Sequence, residues 1–117
     1  MAAAIYNATI DQGATFTLEV IYKDSAGTPI NLTGYTAALQ IRQNYYDDTA
    51  LVTLTSPSGG IVITGATGTI DITMSSAQTA SLDEGIYVYD LEIYAGGGNI
   101  TRLIQGQFTV SPEVTRV

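Results

Sequence analysis

The sequence contains no cysteine, no histidine and no tryptophan. Without cysteine there is neither a disulfide nor a thiolate metal site, which fits assembly in a reducing cytoplasm. Without histidine or cysteine, no Ser-His-Asp or Cys-His nucleophile can be built, and the usual zinc sites are excluded. Basic residues are scarce too. Lys23, Arg42, Arg102 and Arg116 stand against eleven acids, giving a net charge of −7. They lie far apart in the sequence, whereas binding to phosphate needs clustered Lys and Arg. Nucleic acid is therefore not an expected partner, and neither is an anionic membrane surface. The acidity instead keeps a strand-rich surface soluble. No apolar run reaches the roughly 18 residues a membrane-spanning helix needs. The opening Met1-Ala2-Ala3-Ala4-Ile5-Tyr6 has no basic region and no long apolar stretch, so no secretory signal is expected. A GxxxxGK[ST] loop is also missing. Gly96-Gly97-Gly98 is followed by neither a lysine nor a helix and reads as a hairpin turn.

What is present is the composition of a strand former. A chain of 117 residues suits one domain, expected over residues 1–117 with short tails at both ends. Such a chain buries roughly two-thirds of its unfolded surface, enough for one core. Val, Ile, Thr and Tyr recur along most of it, residues that fit a pleated, half-buried surface. No fifteen-residue window reads as an amphipathic helix.

The alternation gives the elements. Residues 4–10 read as a short first strand, followed by a turn at Asp11-Gln12-Gly13. Residues 15–23 alternate most clearly: Phe16, Leu18, Val20 and Tyr22 share one face, with Ile21 an exception on the other. Turn-rich segments at residues 24–29 and 31–34 lead into a strand over 36–43, with Ala37, Leu39 and Ile41 facing one way. After a polar and aromatic loop over 44–48 come a strand at 49–55 and a loop at 56–60. A hairpin is expected at 61–64 and 68–74, turning at Gly65-Ala66-Thr67. Ser75, three residues before Gln78, suggests a capping box and one helical turn. Ala80 or Leu82 is expected to plug one end of the fold from there. A long strand over 86–95 places Tyr87, Tyr89, Leu91 and Ile93 on one face, and Asp90 and Glu92 on the other. Gly96-Gly97-Gly98-Asn99 turns it back. The return strand over 100–110 carries Ile100, Ile104, Phe108 and Val110 in phase. The expected fold is all-β: an antiparallel β-sandwich of immunoglobulin-like architecture, with seven to eight strands and one short helical turn, or failing that a small barrel.

Few residues invite chemistry. Paired carboxylates serve glycosidases, and the candidates are Asp47 with Asp48, Asp83 with Glu84, and Asp90 with Glu92. Each is more simply an exposed charge pair, so no enzyme is expected. Calcium would need gathered oxygen ligands, but no D-x-D-x-D-G run occurs, and no metal or cofactor is expected. The sequons at Asn7, Asn31 and Asn99 read as chance matches in a threonine-rich chain. Tyr45 and Tyr46 are the candidate contact residues, as a sugar-stacking platform or a protein-contact patch. The plainer alternative is one core tyrosine and one exposed tyrosine.

Several words in order carry a resemblance. Gly27-Thr28-Pro29-Ile30-Asn31-Leu32-Thr33-Gly34-Tyr35 is followed by Gly85-Ile86-Tyr87-Val88-Tyr89-Asp90-Leu91, then by Gly106-Gln107-Phe108-Thr109-Val110-Ser111-Pro112-Glu113-Val114. Together with Phe16-Thr17-Leu18-Glu19-Val20 and Gln40-Ile41-Arg42, they resemble small virion structural proteins of tailed phages and the N-terminal domain of phage baseplate upper proteins. The resemblance implies a structural protein of the phage particle, assembled in the host cytoplasm. Its partners would be other virion proteins, in a homo-oligomer or multi-copy lattice. A tail or baseplate position is expected first, capsid decoration second, and a carbohydrate- or receptor-binding module is the alternative outside that class. Residues 1–6 and 112–117 are expected to order on a neighbour. Gly34 and Gly85 are expected at positive φ, and Tyr87 and Tyr89 as core aromatics with hydroxyls reaching the rim.

Overall fold

A computed structural model describes residues 3–115, so Met1, Ala2, Arg116 and Val117 lie outside the described residues. The chain runs β1 (Ala4–Ile5), β2 (Ala8–Asp11), β3 (Phe16–Ile21), β4 (Thr36–Arg42), β5 (Val52–Thr55), β6 (Ile61–Thr64), β7 (Thr69–Met74), α1 (Ser76–Ala80), β8 (Gly85–Tyr94) and β9 (Ile100–Ser111). A 3-10 turn over Gly65–Thr67 joins β6 to β7.

The strands form two sheets. One has the order β1-β9-β8-β4-β5, with β2 also on the β9 edge; the other has the order β3-β7-β6. With β2 as strand A′ and β3 to β9 as B, C, C′, D, E, F and G, this is the A′GFCC′/BED arrangement of an immunoglobulin-like sandwich. The expected all-β sandwich is the fold. Pairing within it is antiparallel except at the N-terminus, where β1 and β2 run parallel to β9. Parallel neighbours need a long connection between them, and here almost the whole chain supplies it. The N-terminal segment counts as two strands because it breaks at Tyr6-Asn7, which makes nine strands among the described residues where eight were the most expected. Ala4 and Ile5, read from the sequence as also part of a tail, are paired with Ile104 and Gln105 of their own chain.

Period-two alternation builds the core. Ala37, Leu39 and Ile41 of β4 and Tyr87, Tyr89, Leu91 and Ile93 of β8 are buried on one sheet, facing Ile70, Ile72 and Met74 of β7 on the other. Aromatic rings stitch the layers together. Tyr89 stacks on Phe108 with ring centroids 3.9 Å apart, and Phe16 of the facing sheet meets Phe108 edge-on at 5.4 Å. The edge-on contact places a ring edge against a ring face of opposite polarity. The Tyr87 hydroxyl donates to the Asp83 carbonyl at 2.6 Å. This is a tyrosine corner at the start of strand F, which pins the crossover between sheets. The Tyr89 hydroxyl donates to the Tyr6 carbonyl at 2.7 Å and ties down the N-terminal segment. Gly34 and Gly85 have φ of 86° and 147°, as expected.

The capping box forms: Ser75 accepts from the Gln78 amide, and the Gln78 side chain accepts from the Ser75 amide. Of the two plugs expected beyond it, Leu82 is buried, whereas Ala80 is exposed. A single helical turn buries only the side chains on one face, and that inward position falls to Thr79. Its hydroxyl accepts from the Gly13 amide at 3.0 Å and donates to the Ala14 carbonyl at 2.8 Å. Beside it, Gln12 donates to the Leu82 carbonyl at 2.8 Å and accepts from the Glu113 amide at 3.0 Å. These bonds close one end of the sandwich.

The return strand departs from its expected phase. The register of β8 on β9 pairs Leu91 with Ile104 but Glu92 with Arg102, leaving Leu103 as the extra residue of a β-bulge. A bulge flips every side chain beyond it to the opposite face. Ile100 is therefore exposed on the outer face, out of phase with Ile104, Phe108 and Val110, and Leu103 is buried in its stead.

Candidate functional site

The outer face of the larger sheet carries the side chains that alternate away from the core. Gln40 and Arg42 come from β4, Val88, Asp90 and Glu92 from β8, and Gln105 and Gln107 from β9. These side chains line an open groove of about 1140 Å³. Ile5 and Asn7 flank it on the β1 side. Tyr45 and Tyr46, with Asp47 and Asp48, flank it on the β4 side.

A tight turn presents the two tyrosines. Asp47 Oδ2 accepts from the Asn44 amide and the Asp47 amide donates to the Asn44 carbonyl, both at 3.1 Å. The Arg42 guanidinium donates to the Asp47 carbonyl from the strand below. With both ends of the turn anchored, Tyr45 and Tyr46 project from its tip. Their exposures are 84% and 74%, and their rings meet edge-to-face at 5.9 Å. Neither enters the core, so the plainer sequence alternative of one core tyrosine does not hold: the turn has left the sheet before the alternation would carry either ring inward.

Across the groove floor runs a charged network. Arg102 Nε lies 3.3 Å from Asp90 Oδ2, and its guanidinium also donates to Gln105 Oε1 at 3.2 Å. Arg42 donates to Gln40 Oε1 at 2.7 Å. The Tyr94 hydroxyl donates to Glu92 Oε1 at 3.0 Å. The bulge at Leu103 is what brings Arg102 here. In an unbroken strand an even-numbered residue of β9 would point inward with Ile104 and Phe108; the extra residue turns Arg102 outward beside Asp90. Burial, and then the neighbouring Glu92, hold the Asp90 carboxyl above its usual range, while Arg102 and Arg42 pull the other way. The Tyr94 phenol is raised by burial and by the bond to Glu92.

No protein-family model matches the chain, and no curated protein matches it either.

The structure thus gathers residues that were separate in the sequence. Arg42 and Arg102 share one groove, while Lys23 lies outside it, bridged to Pro29; Arg116 is outside the described residues. Asp47, Asp48, Asp90 and Glu92 also line the groove, whereas Asp83 and Glu84 are exposed in the turn before β8. Among the described residues no three His, Cys, Asp or Glu side chains are grouped to hold a metal ion. Nor is any helix among them long and apolar enough to cross a membrane. Of the sequon asparagines, Asn7 accepts from the Gln107 amide and Asn31 from the Thr33 amide, both at 2.9 Å. Asn99 sits in the β8–β9 turn. Sequence reasoning picked Tyr45 and Tyr46 but missed Gln40, Arg42, Asp90, Arg102 and Gln105 as one constellation. For Gln40, Arg42, Asp90 and Gln105 the signal was available in the polar phase of each strand, whereas Arg102 reaches the groove only through the bulge. What was missing was the strand order that sets those phases side by side.

The second surface of note is a strand edge. Among the described residues β3 pairs only with β7, so its other edge is open over six residues. In an ABED sheet that edge is taken by strand A; here the N-terminal strand is committed to β9 instead.

Proposed function

We propose that this chain is a non-enzymatic structural protein of a tailed-phage particle, docking on neighbouring subunits through its open sheet edge. The observation that carries the proposal is the unpaired edge of β3, whose outward-facing Thr17, Glu19 and Ile21 are exposed. An open edge presents a row of backbone donors and acceptors that an extended segment of another chain can complete. Repetition in a multi-copy lattice makes individually weak contacts effective. The resemblance to virion structural proteins supports the same reading and ranks a tail or baseplate position ahead of capsid decoration.

The test is made on purified particles. Mass spectrometry should find the chain in many stoichiometric copies, and immunogold labelling should place it on the tail. A photo-reactive side chain at Thr17 or Ile21 should cross-link to an adjacent virion subunit. Particles that lack the chain would end the proposal.

A further inference from the structure

The groove on the opposite sheet points to a second activity, independent of the β3 edge. We propose that it binds a neutral oligosaccharide, with Tyr45 and Tyr46 as a stacking lip and Asp90, Arg102 and Gln105 as a hydrogen-bonding floor.

Four observations lead there. The first is shape. At about 1140 Å³ the groove exceeds the usual range of a small-molecule pocket, roughly 300–1,000 Å³, and it is open along the sheet. Its ligand is therefore extended rather than enclosed. The second is the lip. Two tyrosine rings held clear of the protein offer amphipathic surfaces with few rotatable bonds, suited to a ligand with an apolar C–H face and hydroxyls at its rim. A pyranose ring has that character.

The third is the chemistry of the floor. Hydroxyls both donate and accept, so their recognition needs both kinds of partner. Arg102 and the glutamine amides donate, while Asp90 and Glu92 accept, and bonds to charged groups are the stronger ones. Asp90, Arg102 and Gln105 are already held by one another at 3.2–3.3 Å, on strands rather than loops. Little side-chain freedom is left to lose on binding. The β-bulge belongs to the same design, because it re-aims Arg102 into the groove.

The fourth is charge. Four carboxylates, Asp47, Asp48, Asp90 and Glu92, line the groove with two guanidiniums, Arg42 and Arg102, and the whole chain carries −7. An anionic ligand would be repelled by that field, so a neutral saccharide fits better than a sulfated, sialylated or phosphorylated one.

The experiment titrates short neutral oligomers of glucose, galactose and N-acetylglucosamine into the full chain, followed by backbone amide NMR. At least one series should give saturable shifts confined to residues 40–48, 88–92 and 102–107. Tyr46→Ala should weaken binding about tenfold, the loss expected for one stacked ring. It removes a side chain that packs on nothing in the core, so folding is preserved. Arg102→Ala should weaken binding comparably, and Asp71→Asn, on β7 of the other sheet, should leave it unchanged. Three results would each overturn the proposal: no binding by any neutral series, binding that survives the Tyr45→Ala/Tyr46→Ala double substitution, or tighter binding of a sulfated oligomer or a basic peptide. None bears on particle incorporation, which is read at β3.

Discussion

Replacing Tyr89 by phenylalanine isolates one hydroxyl at a critical position. The ring stays stacked on Phe108, and only the bond to the Tyr6 carbonyl is lost. A net intramolecular hydrogen bond contributes about 1 kcal/mol, so near pH 8 the variant should be less stable by about that amount. The same hydroxyl also sets a pH dependence. Burial, with a smaller contribution from Tyr6, pushes the Tyr89 phenol up to about 12. The unfolded chain releases the proton near pH 10, while the folded chain keeps it. Between those values the native state binds more protons, so this group's stabilisation is complete below about pH 10 and is lost as pH rises toward 12. At about pH 11 the loss is on the order of 1 kcal/mol. Tyr89→Phe has no such proton. Its deficit should therefore vanish near pH 11 and become a small advantage above it. Tyr87 and Tyr94, both raised in part by burial, are common to the two proteins and cancel in the difference. Urea unfolding followed by far-ultraviolet circular dichroism, at intervals from about pH 8 to pH 11, measures it. A stability difference that does not change with pH would refute the reasoning.

Three further outcomes are expected. Thr79→Val deletes a buried hydroxyl and strands the Gly13 amide and the Ala14 carbonyl; equilibrium unfolding should show a loss of about 1–3 kcal/mol, and Thr79→Ser should recover most of it. In Gly106→Ala the new Cβ would collide with the Tyr6 carbonyl and Asn7. Displacing the N-terminal strand should lower stability by about 1–3 kcal/mol and speed amide exchange across β1 and β2, whereas unchanged exchange would count against the packing described. Asp90→Asn removes a carboxylate held above its usual range mainly by burial. The wild type takes up this proton first in the folded state, so it should gain stability relative to the variant as pH falls through the carboxylate range; parallel acid limbs in chemical denaturation would contradict this.

Much of the fold was legible because its code is local. Strict alternation at Phe16, Leu18 and Val20, and again at Tyr87, Tyr89, Leu91 and Ile93, places those side chains toward the core in any strand pairing. The Ser75–Gln78 cap is likewise settled within four residues. The phase of Ile100 was not legible, because a bulge is a property of two strands in register, and nothing in β9 alone marks Leu103 as the unpaired residue. Nor did the sequence show which tyrosine-loop residues stay outside, since that depends on Arg42 and Asn44 anchoring the turn.

The sequence by itself determined an acidic, cysteine-free, strand-built chain and the composition of its core, because a period of two needs no knowledge of neighbours. Tertiary structure alone decided the rest. It sent the N-terminal strand to β9 and left β3 with an open edge. It also laid Gln40, Asp90 and Gln105 side by side in register, residues up to 65 positions apart. A strand's hydrogen-bonding edges carry no side-chain signature, so which strands become neighbours is set by the packing of the whole chain.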